Sequence, residues 1–436
     1  MTQQASALFQ KLNLSPEAMT AYQTARAAMN RQEYAIAIDL FTDMLAHMEM
    51  PDALRARLLE YRGECYWLLS EFEQAEADYQ AAITSCSDRD QVARARVRLG
   101  EAVDFRGEYE RSAQIYQQAL QEGTAVNNLM VIGRARRGLG ILNRRQGNTD
   151  QALNHLTQAL AAFRQAGEAR EQARVLTSLG RTRHVRGEYQ LALSHHRDAL
   201  KILESLNDRW RIVQSLNDIG ECHQSLYDMP HALQYHQRAL QLADEYGADL
   251  LKPEIQRNLG VDLLEHGRFT EGLVYLHQAL DGTRALNNRE QEALTLYHLA
   301  RAYFQHEELT QAESLVHELN ETAQILDTDR YHALAALAQG ELNFLRGQQA
   351  EAVIELNKAM LAAQSTMDRG GLWKLHAIMS NIIADKAIAA VHLQIAAEFI
   401  RQTAEPLVDP HLKTCFLQAP PVLAVLHAAG INPDKL

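Results

Sequence analysis

The chain contains little cysteine and little proline, and no uninterrupted apolar run is long enough for a membrane span. Its four cysteines among 436 residues are Cys65, Cys86, Cys222 and Cys415. Because they show no paired spacing, they argue against a disulfide framework or a zinc site and favour a reducing compartment. The most apolar stretch, residues 378–400, is interrupted by Asp385, Lys386 and His392. A spanning helix needs about 20 apolar residues, so we expect no membrane span.

The sequence also lacks the features of a secreted protein, of a nucleic-acid binder and of an enzyme. No basic region is followed by an apolar run at the amino terminus, so no cleavable signal is expected. The net charge of −12 at pH 7 disfavours nucleic acid or an anionic membrane surface as the main partner. No phosphate-binding glycine loop is present, and no Ser, Thr or Cys is marked as a nucleophile by its surroundings. We therefore expect a cytoplasmic, non-enzymatic protein without a cofactor.

What the chain does contain is a pattern that returns every 40 residues. Leu179-Gly180 begins the pattern, Gly187 follows, and Ala199 comes later; each has counterparts 40 residues away. Apolar residues at helical spacing flank the second glycine, so each unit predicts two helices whose backbones approach closely at the small residues. The second helix ends on Asn or Gly, which tolerate the left-handed conformation that closes a helix. A fixed period of this kind predicts a solenoid.

With the Leu-Gly, Gly-x-Tyr, Ala and Ala-Leu positions in this order, the sequence resembles the tetratricopeptide repeat family. It departs from the family pattern in its period of 40 residues, where the family has about 34, and in having Asn or Gly instead of the terminal proline. Both departures resemble the long-repeat branch found in Pins-type polarity adaptors, kinesin light chains and the sensor regions of bacterial signalling ATPases. The resemblance implies an all-α fold: a right-handed α-solenoid superhelix of about ten antiparallel helix pairs with a C-terminal helical cap.

Three segments are expected along the chain. Residues 1–16 form a short N-terminal lead, which ends where Ser15 and Pro16 predict a helix start. Residues 17–405 form the repeat array. Residues 406–436 form a C-terminal tail, which we expect to cap the last repeat because a bare final helix would leave an apolar face in water.

Four histidines suggest a metal cluster at first sight: His195, His196, His236 and His277. His196 and His236 occupy the repeat position that Leu156 and Leu276 hold in other units, which is a packing position of the second helix. Structural histidines are therefore the better interpretation, because metal ligands need convergent geometry. No metal site is predicted.

In this family the first helix of each pair lines the concave face, so the resemblance implies a binding groove. The candidate groove residues occupy fixed positions before and after the repeat glycine of each first helix. They are mostly basic in the early repeats, polar in repeat six and apolar in repeat eight. The candidate peptide-binding residues are Arg94, Arg134, Arg137, Arg144, Arg145, Arg174, Arg181, His184, Asn217, Arg257, Tyr297 and Phe304. Residues 134–149 include five arginines and no acid, and guanidinium groups suit carboxylates and phosphates.

Two interpretations of the basic stretch remain open. It is either an anion-selective groove for an extended acidic or phosphorylated peptide, with few acids competing for its arginines, or a solvated face. In the second case its arginines pair with Glu101, Asp104 and Glu221 on adjacent helices and contribute little individually. The apolar end around Tyr297 and Phe304 either holds an apolar anchor of the same ligand or is covered by the tail.

The leading hypothesis is a scaffold or adaptor that binds an extended, acidic protein segment in its concave groove. One alternative is the ligand-sensing part of a bacterial signalling ATPase or cyclase system. A second alternative is an RNA-binding solenoid, which the acidic remainder of the chain disfavours because affinity for RNA rests on phosphate contacts.

Overall fold

The computed structural model describes residues 16–363 and 369–436, and these residues are almost entirely helical. They form 22 α-helices and two short 3₁₀-helices and contain no strand. The predicted all-α class and the pairing of adjacent helices are therefore confirmed. None of the described helices is both long enough and apolar enough to cross a membrane. The predicted N-terminal lead lies outside the described residues except for Pro16, where the first described helix begins.

The chain divides into two compact units, Met1–Arg144 with Asp150–Glu168 and Arg145–Thr149 with Ala169–Leu436. The first unit contains repeats one to four. Its helices are α1 (Pro16–Asn30), α2 (Tyr34–His47), α3 (Asp52–Leu68), α4 (Phe72–Ser85), α5 (Arg89–Phe105), α6 (Tyr109–Ala125), α7 (Leu129–Arg145) and α8 (Thr149–Ala166). Odd-numbered helices are the first of each pair and even-numbered helices the second.

The second unit contains repeats five to ten and the C-terminal tail. Repeats five to seven are α9 (Ala169–Val185), α10 (Tyr189–Ser205), α11 (Arg209–Ser225), α12 (Met229–Tyr246), α13 (Lys252–Glu265) and α14 (Phe269–Ala285), with a 3₁₀-helix at Asp249–Leu251. Repeats eight to ten are α15 (Arg289–Gln305), α16 (Leu309–Leu326), α17 (Asp329–Leu345), α18 (Gln349–Ala363), α19 (Arg369–Ile382) and α20 (Lys386–Ala404). The tail contains α21 (Pro410–Leu417), α22 (Pro420–Ala428) and a 3₁₀-helix at Pro433–Lys435.

Both turns of the repeat place one residue in the left-handed backbone region. The turn after the second helix has φ values of 53° at Asn127 and 72° at Gly167, as the Asn/Gly spacing predicted. The turn inside the pair has glycine at Gly187, but Tyr227 takes that place in repeat six with φ 58°. The left-handed region costs a non-glycine residue roughly 1–2 kcal/mol. At Tyr227 tertiary contact offsets this cost, because its ring packs 6.5 Å from the ring of Phe416 in the tail.

The repeat glycine of the first helix makes room for one side chain of the second helix. A Cβ added at Gly180 would lie 2.4 Å from Nε2 of His196, and one added at Gly140 would lie 2.7 Å from Cγ of Leu156. The sequence analysis attributed these glycines to close approach of two backbones. The nearest atoms at both positions belong to a side chain. Glycine is therefore required because a side chain of the second helix fills the space against the first helix.

The C-terminal tail packs onto the second unit through one apolar cluster. Phe416 of α21 and Val422 of α22 are buried together with Leu193 of α10, Ile219 of α11 and Ile400 of α20. The tail thus contacts the last helix of the array and also two helices that lie four to five repeats earlier in the chain. The assignment of residues 406–436 as a cap remains a prediction, but the tail buries apolar surface well beyond the last repeat.

Candidate functional site

A cavity of about 240 Å³ in the first unit lies between α3, α5 and α7, the first helices of repeats two, three and four. Its lining residues are Arg57, Glu60, Tyr61, Glu64, Arg94, Val97, Arg98, Met130, Val131 and Arg134. Two of these, Arg94 and Arg134, are among the residues predicted for the groove. The cavity therefore lies on the helix faces to which the repeat pattern assigned ligand binding.

The lining of this cavity carries an excess of positive charge. Four arginines face two glutamates across it. Arg57 lies 3.6 Å from Glu60, and Arg98 lies 3.1 Å from Glu64. Arg94 is 3.3 Å from Asp90, which is outside the lining. Arg98 is also 3.1 Å from Glu101, so neighbouring carboxylates neutralise much of this charge, although the lining itself has four arginines and two glutamates.

Two buried polar atoms of the cavity find no hydrogen-bond partner among the described residues. They are Oε1 of Glu60 and Nε of Arg94. Burial raises the pKa of the Glu60 carboxyl above its ordinary value, while the positive charges of Arg57 and Arg94 oppose that rise. An unpaired buried polar atom costs about 1–3 kcal/mol. A ligand with both donors and acceptors would satisfy these atoms.

The other predicted arginines of α7 differ in exposure. Arg137 is largely buried and lies 3.2 Å from Glu101, so its charge is neutralised within the protein. Arg144 is half-buried near the end of α7, and Arg145, which follows it, is exposed. For Arg137 the structure favours the interpretation of arginines paired with acids of adjacent helices.

In the second unit the predicted basic residues are held by internal partners. Arg181 donates to both carboxylate oxygens of Asp218, with distances of 2.9 and 3.3 Å, and Asp218 is only 3% exposed. Arg174 lies 3.2 Å from Glu171. Nε2 of His184 is 3.0 Å from the hydroxyl of Ser225. The expectation that few acids compete for these arginines is corrected: the second unit supplies its own carboxylates.

Asn217 and Arg257 belong to a buried polar network between α11 and α13. Nδ2 of Asn258 donates to Asn217 at 3.0 Å and to Glu221 at 2.8 Å. Arg257, 6% exposed, donates to Oδ1 of Asn258 at 2.9 Å. Burial raises the pKa of Glu254 at the edge of this network, and the charge of Glu221 adds to the rise. Arg257 was predicted to face a ligand, but its guanidinium group is buried between the helices and donates to Asn258.

The predicted apolar residues of repeat eight have different positions. Phe304 is 8% exposed and packs in the cluster of α14 to α17, so its side chain serves helix packing. Tyr297 is half-buried between two apolar clusters, and burial raises its pKa to about 12. Arg301, beside Tyr297, lines a smaller cavity of about 110 Å³ together with His298 and residues of α11, α13 and α19. The tail packs on α10, α11 and α20 rather than on these residues.

The sequence analysis named Glu101, Asp104 and Glu221 as acidic partners but missed Asp90, Glu171 and Asp218. A signal in the sequence would have found more of them. The residue directly after a repeat glycine contacts a residue two or three positions before the glycine of the next repeat. Observed pairs of this kind are Glu64 with Arg98, Glu101 with Arg137, and Arg181 with Asp218. Opposite charges at this offset predict inter-repeat ion pairs, whereas counting charges along one repeat does not.

Two segments of the chain, residues 22–90 and 131–205, match sequence profiles described as tetratricopeptide repeat. A curated relative, the TPR repeat-containing protein of Treponema pallidum (strain Nichols), is 26% identical over 133 residues, which is 30% of this chain and 16% of that protein. Both segments are tetratricopeptide repeats. The chain spans 16% of the length of this relative, so nothing about the whole relative carries over directly.

Two solved structures share the fold. A Rap protein complexed with Competence and Sporulation Factor is 15% identical, with a TM-score of 0.60 over 87% of this chain and 99% of that chain. A signal transduction ATPase with numerous domains and a tetratricopeptide repeat sensor, from Pyrococcus horikoshii, is 14% identical, with a TM-score of 0.57 over 86% of this chain and 55% of that chain. At these identities the likeness shows the fold alone. The tetratricopeptide repeats themselves support a protein-interaction role.

Proposed function

We propose that this repeat protein is a non-enzymatic scaffold that binds an extended peptide segment across α3, α5 and α7, with an acidic side chain seated in the cavity. The observation that carries the proposal is the cationic cavity on three successive first helices, lined by Arg57, Arg94, Arg98 and Arg134. A guanidinium group binds a carboxylate through two parallel hydrogen bonds, which gives both orientation and affinity.

The size of the cavity agrees with a peptide side chain better than with a small molecule. Drug-sized ligands occupy pockets of about 300–1,000 Å³, whereas this cavity measures about 240 Å³. Its apolar wall, formed by Val97, Met130 and Val131, would contact the aliphatic part of the side chain. Oε1 of Glu60 would accept a hydrogen bond from a peptide N–H, since no described residue donates one.

Reversing two arginines of the cavity tests the proposal. Peptides would be selected from a random phage-displayed library on the wild-type chain and on Arg94→Glu with Arg134→Glu. The wild type should enrich peptides rich in Asp and Glu. The double variant should bind the best of them at least about 30-fold more weakly, or about 2 kcal/mol, because reversal removes attraction and adds repulsion.

The matched control has the same change in net charge on exposed arginines of the same unit. Arg89→Glu with Arg164→Glu alters two exposed side chains outside the cavity lining and should bind the selected peptides like the wild type. Circular dichroism would establish that both double variants remain helical. Enrichment of neutral or basic peptides, or equal affinity of the two double variants, would show that the cavity does not select acidic segments.

A ligand-sensing part of a signalling ATPase system is the second candidate, and the likeness over 86% of this chain to the sensor-containing ATPase favours it. The Rap structure is described as a complex with Competence and Sporulation Factor, so a similar fold also binds a separate factor. Affinity purification followed by mass spectrometry separates the two candidates. Consistent recovery of a nucleotide-binding protein favours the sensor, and recovery of diverse acidic proteins favours the scaffold.

A further inference from the structure

A cluster of histidine, cysteine and aspartate side chains lies where the tail meets the second unit. Asp228, which directly precedes α12, is 1% exposed. Its Oδ2 lies 2.9 Å from Nδ1 of His231 and 3.4 Å from Nε2 of His411 on α21. Nε2 of His411 is in turn 3.6 Å from Sγ of Cys415, one helical turn further along α21. The ligand atoms of Asp228, His411 and Cys415 therefore all lie within 4.8 Å of one another, and His231 contacts the same carboxylate.

We propose that Asp228, His231, His411 and Cys415 bind a zinc ion that fixes the C-terminal tail to the start of α12. Zinc takes four ligands from Cys, His and Asp at about 2.0–2.3 Å in tetrahedral geometry, which places neighbouring ligand atoms roughly 3.3–3.8 Å apart. Two of the three measured separations, 3.4 and 3.6 Å, fall in this range. His231 comes within 2.9 Å of the carboxylate but does not belong to the group of Asp228, His411 and Cys415, whose ligand atoms all lie within 4.8 Å of one another. Its side chain, which is 48% exposed, has to turn towards them to complete the four ligands.

The chemistry of the four side chains also suits this ion. One thiolate, one carboxylate and two neutral imidazoles carry a total charge of −2, which balances Zn²⁺. His411 and Cys415 are four residues apart on one face of α21, and Asp228, the residue before α12, is three residues from His231 in the first turn of that helix. Coordination requires the deprotonated thiol, so zinc binding releases the proton of Cys415.

A fifth side chain, His223, touches the same carboxylate without being a ligand. Its Nδ1 lies 2.8 Å from Oδ2 of Asp228, and its Nε2 lies 3.5 Å from the guanidinium of Arg197. Because the guanidinium can only donate, Nε2 of His223 accepts and its Nδ1 carries the proton given to Asp228. Metal-ligating carboxylates are commonly hydrogen-bonded in this way.

The sequence analysis found no zinc site because the four cysteines show no paired spacing. Here only one cysteine takes part, and its partners come from two segments that the repeat period does not connect. A hydrogen-bonded cluster without metal is the competing explanation for the short distances. The two explanations differ in whether the thiol of Cys415 matters, since a hydrogen-bonded carboxylate with three imidazoles does not need it.

The test uses the full chain without a histidine tag, stripped with a chelator and then dialysed against zinc chloride. Elemental analysis should find one zinc per chain in the wild type and less than a tenth of that in His411→Ala and in Cys415→Ser. Two matched controls, His427→Ala in the same tail and Cys86→Ser in the first unit, should retain one zinc. Both control side chains lie away from the cluster.

Cobalt(II) in place of zinc reports on the thiolate directly. The wild type and Cys86→Ser should show a sulfur-to-cobalt charge-transfer band, and Cys415→Ser should lack it. Hydrogen exchange of residues 406–436 should slow at least tenfold when zinc is added to the wild type and stay unchanged in Cys415→Ser. A wild type that retains no zinc, or equal zinc in Cys415→Ser and the wild type, overturns the proposal.

Discussion

Replacing His196 with leucine should change the pH dependence of stability in the second unit. His196 is 1% exposed, and its Nδ1 finds no hydrogen-bond partner among the described residues. Its nearest acid is Asp218, whose Oδ2 lies 3.7 Å away and is engaged by Arg181. Burial, followed by the charge of Arg181, lowers the pKa of His196 to about 3. The ring is therefore neutral in the folded state at pH 7 and at pH 5.

The sign of the effect follows from the lowered pKa. The unfolded chain takes up a proton at His196 near its ordinary pKa of about 6.5, whereas the folded chain does not until about pH 3. Because the unfolded state binds this extra proton, the free energy of unfolding decreases progressively as the pH falls from about 6.5 towards 3. At pH 5 the difference spans about 1.5 pH units, which corresponds to roughly 2 kcal/mol.

Leucine is the replacement chosen because other repeats have leucine at the position of His196. Leu156 opposite Gly140 and Leu276 opposite Gly260 occupy the place that His196 occupies opposite Gly180. At pH 7 the variant should be more stable by about 1 kcal/mol, because it removes a buried polar atom without a partner. At pH 5 the advantage should grow by about 2 kcal/mol, because leucine does not titrate.

Repeat arrays do not unfold as one unit, so the measurement should be local. Hydrogen exchange by mass spectrometry of peptides from residues 169–225 would be compared between the wild type and His196→Leu at pH 7 and at pH 5. The intrinsic exchange rate is the same for both proteins at a given pH and cancels in the comparison. A difference of 2 kcal/mol between the two pH values therefore appears as about a 30-fold larger gain in protection at pH 5 than at pH 7. His427→Leu, at an exposed position, is the control. An equal advantage of His196→Leu at both pH values would refute the lowered pKa.

Three further changes probe the same packing. Gly180→Leu should lower the local stability of residues 169–225 by about 3 kcal/mol in hydrogen exchange, because even a Cβ would lie 2.4 Å from the His196 ring; unchanged exchange would contradict the packing of His196 against Gly180. Arg181→Ala should cost about 2 kcal/mol in the same measurement, since it leaves Asp218 buried without its guanidinium; a cost below about 0.5 kcal/mol would mean that Asp218 is hydrated. Deleting residues 406–436 should cause aggregation in light scattering, since it exposes the apolar faces of α10 and α11; a monodisperse truncated chain would contradict this.

The repeat period predicted the parts of the structure that recur. The two helices of each unit, the left-handed residues such as Asn127 and Gly167, and the packing position of His196 all follow from a spacing of 40 residues. They are predictable because each is a local requirement that every unit must meet. A helix end needs a residue that tolerates positive φ, and a side chain that fills the space against the first helix needs a glycine opposite it.

The candidate site was predictable only in part, because charge partners come from the next repeat. Arg94 and Arg134 line a cavity as the pattern suggested. Arg181 was predicted to face a ligand but holds Asp218. Arg94 and Arg134 lie six residues before their repeat glycine, whereas Arg181 directly follows Gly180. At that second position the following repeat presents Asp218, 37 residues later, and the fold brings the two into contact.

The tail contacts repeats that are not its neighbours in the chain, and the 40-residue period does not predict the effect of these contacts on stability. In a simple array each repeat contacts only its neighbours, so stability is a sum of repeat and interface contributions. In the second unit the tail also contacts α10 and α11 through Phe416 and Leu193, which joins repeats five and six to the end of the chain. Contacts at both ends then enclose the intervening repeats, so a change that destabilises α10 also destabilises the tail.

Loss of the tail should therefore speed hydrogen exchange in α10 and α11 more than in α15 and α16, although the latter are nearer in sequence. A purely nearest-neighbour array would show the reverse order.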